Sequence, residues 1–276
     1  QVEPFLGIIT VQDALNPYHE ALQEGGIPAT ENPERLERKI NLKEVLKADI
    51  ASYRASGLEA WAQALEQGMQ SVKLTPEKRG ILEQEIANGA IPLFMPGAEV
   101  HKNTTPAQYQ KNFKPIWTGK DAKPLRDAYL WAHMKNLITD KHVSLTQGVP
   151  SRPYLLFVKP TQQPEFRTCN KTLDQQKAEA INMNQERNAQ NFAPLCPIKP
   201  AEYAALQQRC TEALRDQGGL QNLSPLDSTT YTRFIDLPAI DGEVPNGTFY
   251  AVNAQMEFDR NDVATPRMSS AVSASW

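Results

Sequence analysis

Proline sets the tightest limits on how this chain can fold. The sequence carries 21 prolines in 276 residues. A proline ring fixes φ, removes a backbone donor and clashes with the preceding helical turn, yet it fits the first turn of a helix. Long helices are therefore confined to proline-free windows, and some prolines should mark helix starts. The first long window runs from Pro33 to Pro76. Asn32 can cap a helix there, Pro33 suits its first turn, and Glu34 favours its positive end. Leu36, Ile40, Leu42, Val45, Leu46, Ile50 and Tyr53 recur at steps of three and four, which predicts a helix. Leu58, Trp61, Leu65, Met69 and Val72 continue the period beyond Gly57, so two helices or one kinked helix are expected.

The same reasoning extends along the chain. Thr75-Pro76-Glu77 is a start signal, Ile81, Leu82 and Ile86 form an apolar face, and Asn88-Gly89 is a stop. Ile91–Met95 reads as a short strand before the Pro96-Gly97 turn, and a short helix is expected after Thr105-Pro106. Pro124 is expected to open a helix with Leu125, Tyr129, Leu130, His133, Met134, Leu137 and Ile138 as its stripe. Tyr154–Lys159, an apolar run between prolines, predicts a buried strand. Thr172 and Gln175 have capping-box spacing before a helix with a thin apolar face of Leu173, Ala180, Ile181 and Met183. Pro200 starts another, with Tyr203, Leu206, Cys210 and Leu214 inward. Beyond Gly219, Tyr231–Leu237 and Thr248–Phe258 read as strands, the second with period-two alternation, and Asp241-Gly242 and Asn246-Gly247 as hairpin turns. Met268–Trp276 reads as a small-residue tail.

Helices first and strands late predict an α+β fold, with a helix-rich N-terminal two-thirds and a small, largely antiparallel sheet formed mainly by the C-terminal region. A single domain over 1–276 is expected, with a subdivision into a helical 1–90 and a mixed 91–276 as the alternative. Hydrophobic residues are 40% of the chain, enough for a sizeable core. The net charge of -3 argues against a surface that coats nucleic acid throughout. No apolar run approaches the roughly 20 residues of a membrane span. A soluble protein is expected, inside the cell by preference. Export stays open because the chain starts at Gln1 instead of methionine.

Cys169, Cys196 and Cys210 are too few for a disulfide framework and show no zinc spacing, so buried thiols are expected, a single Cys196–Cys210 or Cys169–Cys196 bridge being the exported alternative. Asn103, Asn170, Asn222 and Asn246 begin N-x-S/T sequons. The sequence contains no G-x-G-x-x-G, no P-loop, no G-x-S-x-G and no H-E-x-x-H. No cofactor or metal is expected, and the sequence points to no particular small-molecule ligand.

Two segments of opposite charge carry the functional reading. Lys102, Lys111, Lys114, Lys120, Lys123 and Arg126 stand against Asp121 alone, interleaved with Tyr109, Phe113 and Trp117. Cations with aromatics suit an acidic protein surface or unpaired bases. The plainer alternative is a solvated loop with its rings in the core. From Asp216 to Asp262 the chain is acidic, with Asp227, Asp236, Asp241, Glu243, Glu257 and Asp259 offset only by Arg233 and Arg260. Arg152 and Lys159 bracket the Tyr154 strand and could hold an anion. His19, His101, His133 and His142 have no ligand spacing. The sequence therefore favours an interaction or assembly protein without catalytic activity. It would dock a protein partner or its own copies through 102–126 and the acidic sheet. A hydrolase or transferase with a scattered carboxylate, histidine or arginine site is the alternative. Single-stranded nucleic-acid binding through 102–126 is disfavoured and ranks third.

Overall fold

The computed structural model describes residues 3–4, 8–12, 37–55, 57–69, 73–88, 90–101, 105–112, 129–140, 145–158, 167, 171–190, 192–207, 232–237, 244–250, 255–260, 265–266 and 268–273. In chain order they form β1 (Glu3–Pro4), β2 (Ile8–Gln12), β3 (Glu37–Asn41), α1 (Leu42–Ala55), α2 (Glu59–Gly68), β4 (Lys73–Leu74), α3 (Pro76–Ala87) and β5 (Ile91–Met95). A 3-10 turn (Ala98–His101), α4 (Pro106–Asn112), β6 (Tyr129–Leu130), α5 (Ala132–Thr139), β7 (Tyr154–Val158) and α6 (Leu173–Ala189) follow. The last elements are β8 (Cys196–Pro197), α7 (200–207), β9 (Thr232–Arg233), β10 (Pro245–Tyr250), β11 (Gln255–Arg260), β12 (Thr265–Pro266) and β13 (Met268–Ser273). The fold is α+β, with largely antiparallel sheets and most of the helical length before residue 208 among the described residues.

The helix signals produce the expected local structure where capping chemistry is strong. Thr75 accepts a hydrogen bond from the Lys78 N–H, and Pro76 opens α3. Thr172 and Gln175 form a reciprocal capping box at the start of α6. Thr105 and Gln108 do the same for α4. Gly57 separates α1 from α2 with φ at +76°, and the Leu58 N–H reaches back to the Tyr53 carbonyl, so the chain turns sharply. Tyr53 and Trp61 then meet edge to face, 5.0 Å between ring centres.

Four expectations about where helices and strands lie are corrected. The helix expected from Pro33 begins only at Leu42, and Leu36 lies outside the described residues. Ile40 instead belongs to β3, opposite Ile9 of β2, and the Asn41 side chain accepts from the Lys43 N–H. An apolar pairing partner and a capping residue together override the helical period. Tyr129 and Leu130 likewise form β6, and the helix starts after them. Asn246-Gly247 lies inside β10, and the run expected as one strand folds into the β10–β11 hairpin, with Tyr250 opposite Gln255. The expected tail contains β13, which pairs with β7 along Ser269–Ser273 and with β8 on its other side.

The four-stranded sheet runs β5-β7-β13-β8, antiparallel throughout. All five side chains of β7 are buried, and β7 is an inner strand with β5 on one edge and β13 on the other. The main core runs from Leu42 to Leu237 and draws on α1, α2, α3, β5, α5, β7 and α7. The five-stranded sheet runs β12-β9-β10-β11-β6. On α6 the buried face is Gln176, Ala180 and Met183, and Ile181 is exposed on the opposite side, contrary to expectation. Steps of four and three keep 176, 180 and 183 in one line, while 181 falls a residue out of it.

Candidate functional site

Lys111 is exposed on α4, and Tyr109 on the same short helix is buried at 2% exposure. The ring fastens the helix to the core while the ammonium faces water. Lys102, Lys114, Trp117, Lys120 and Arg126 lie outside the described residues, as do Lys159, Asp216, Asp227, Asp241, Glu243 and Asp262. Arg152 is exposed in the turn before β7, where its backbone packs on Gly97. His101 falls in the 3-10 turn and His133 on α5, and His19 and His142 lie outside the described residues.

At one edge of the five-stranded sheet, β11 of the acidic region pairs with β6, which follows the basic segment in the sequence. The segment that follows α4 re-enters as β6, and β6 runs parallel to β11 with Tyr129 opposite Glu257 and Leu130 opposite Phe258. Arg233, expected among the acidic surface, is buried and donates from Nη1 to the Gln176 side chain of α6 at 2.9 Å. Asn246 is wholly buried, opposite Arg233 on one side and Asp259 on the other. A glycan on the folded chain has no room there, so that sequon is closed by the strand.

Sequence reasoning missed a grouping of ionisable side chains around Glu202. The Tyr154 hydroxyl, at the start of β7, donates to Glu202 Oε1 at 2.5 Å. The other Glu202 oxygen accepts the Lys199 backbone N–H at 2.9 Å, which caps α7. Lys199 Nζ pairs with Asp236, and Cys196 of β8 lies exposed nearby, not buried as expected. Cys169 and Cys210 are outside the described residues. Pro200 with Glu202 two positions later was legible as a helix start, but the partner 48 residues away was not.

Burial dominates the electrostatics here. Desolvation raises the Glu202 carboxyl above the ordinary glutamate range, against the opposing pull of its two hydrogen bonds. Desolvation and the neighbouring carboxylate push the Tyr154 hydroxyl well above the usual phenol range. Although the residue is exposed at the surface, desolvation by the neighbouring protein atoms raises the Cys196 thiol, which leaves less of the reactive thiolate. Because the folded Glu202 holds its proton more tightly than the unfolded chain does, its contribution favours folding below the ordinary value of about 4.3 and is lost as pH rises through the raised value. Glu202→Gln should remove this slope from a plot of denaturant midpoint against pH. A variant that retains the wild-type slope would show that Glu202 titrates normally.

The other buried charges are also committed internally. Asp49 of α1 accepts the Phe94 N–H of β5 at 2.9 Å. Glu85 of α3 pairs with Arg187 of α6, whose Nε donates to the Ala193 carbonyl and whose guanidinium lies 5.0 Å from the Phe192 ring centre. Such groups hold elements together, since an unpartnered buried charge is costly. Among the described residues, no group of three or more His, Cys, Asp or Glu side chains is placed to hold a metal ion. No helix among them is long and apolar enough to cross a membrane. No family model, no curated protein and no solved structure matches this chain.

Proposed function

We propose that this chain is a docking protein that assembles with copies of itself through its basic 102–126 segment and its acidic C-terminal sheet. The carrying observation is the division of labour on α4, where buried Tyr109 anchors the helix and Lys111 faces solvent. Segments of opposite sign suit a self-complementary contact, in which the basic part of one copy faces the acidic part of the next. The Tyr154–Glu202–Lys199–Asp236 grouping supports a structural task more than a reaction, because both Glu202 oxygens are already engaged in joining β7 to α7.

The test is light scattering of the full chain at low and high salt. Self-association at low salt, weakened at high salt and lost in a Lys111→Glu/Lys114→Glu/Lys120→Glu variant, is expected. A monomer under every condition would remove this reading. Salt-sensitive retention on an immobilised single-stranded oligonucleotide, lost in the same variant, would favour nucleic-acid binding in its place.

A further inference from the structure

We propose that Asn246 is a conformation-gated deamidation site, sealed while β10 is paired and reactive once the β9–β10–β11 sheet opens. Asn246 is followed by Gly247, the neighbour that least obstructs attack of its own backbone nitrogen on the asparagine side chain, because it has no Cβ. In that reaction the Gly247 nitrogen bonds to the Asn246 side-chain carbonyl carbon and the C–NH2 bond breaks. The departing NH2 takes up the Gly247 amide proton and leaves as ammonia. Water then opens the five-membered succinimide at either carbonyl, giving aspartate or isoaspartate. No electrons are transferred, and water is the sole co-reactant.

The fold opposes ring closure through the backbone. Asn246 sits between Arg233 and Asp259, and Gly247 between Thr232 and Phe258, in strands paired on both sides. Closing the ring requires the backbone at Asn246 to leave the extended conformation, which breaks this pairing. The residue is wholly buried, so the water that completes the reaction is also excluded. Its side-chain Oδ1 and Nδ2 have no hydrogen-bond partner, so no bond within the molecule fixes the amide group itself. Protection therefore comes from the strand pairing, and it lasts only as long as the sheet is closed.

The chain carries its own comparator. Asn88-Gly89 is a second Asn-Gly pair, with half-buried Asn88 at the C-cap of α3 and outside any sheet. The experiment incubates the full-length protein at mildly alkaline pH, with and without guanidinium chloride. It follows each site by peptide mass and isoaspartate labelling. In guanidinium the two sites should convert at similar rates, and Gly247→Ala should slow Asn246 alone. In native buffer Asn88 should run ahead, and Asn246 should react at least about 100-fold more slowly than in guanidinium, as a site reached only through sheet opening would. Native protection of Asn246 below about tenfold, or native conversion as fast as at Asn88, would overturn the proposal.

Discussion

Leu156→Ala should lower the folding free energy by about 3 kcal/mol, within the range of about 2–5 kcal/mol for emptying a buried leucine site. Leu156 is fully buried at the middle of β7, opposite Leu93 on β5 and Ala271 on β13. Its site is walled by strands on both edges, so the surroundings have little freedom to collapse into the void. Urea unfolding followed by circular dichroism reads the effect as a lower midpoint with an unchanged slope. A loss under about 1 kcal/mol, typical of a surface or loosely packed position, would mean that β7 is not the centre of this core.

Gly97→Ala should be the more damaging of two glycine substitutions that share the same backbone preference. Gly97 and Gly57 both have positive φ, +87° and +76°. An added Cβ at either costs about 1–2 kcal/mol of left-handed strain. At Gly57 nothing lies within 4 Å of it. At Gly97 it would stand 2.5 Å from the Arg152 carbonyl carbon and 2.6 Å from the Ser151 and Arg152 oxygens. Those are backbone atoms, and the Ala98 N–H bond to the Pro150 carbonyl holds the two segments together. Relief of the overlap therefore adds about 1–3 kcal/mol, and Gly97→Ala should unfold at clearly lower urea than Gly57→Ala. Equal midpoints would show that the turn after β5 and the approach to β7 are not in tight contact.

Signals that act within a few residues were legible in the sequence. The caps at Thr75 and Thr172, the break at Gly57 and the buried strand Tyr154–Val158 depend on local dihedrals, local hydrogen bonds and a dense apolar run. Ile40 and Tyr129 fit a helical period equally well and became strands because β2 and β11 offered them partners. β13, Met-Ser-Ser-Ala-Val-Ser, has no apolar alternation to reveal it. It is a strand because β7 and β8 need a backbone ladder between them. Asn246-Gly247 has turn chemistry and still lies within a strand, since pairing with β9 and β11 outweighs a two-residue preference.

The candidate sites divide in the same way. Lys111 as an outward charge followed from the pattern of its own segment. The joining of Tyr154 to Glu202, of Glu85 to Arg187 and of Arg233 to Gln176 did not, because each spans 48 to 102 residues. By itself the sequence determined the α+β class, the strong helix starts and the content of the core strand, all set by chemistry between near neighbours. Tertiary structure alone decided which strands share a sheet, which charges are buried in pairs and which Asn-Gly is sealed. Those outcomes depend on distant groups meeting where water is excluded, and no short stretch of chain encodes such a meeting.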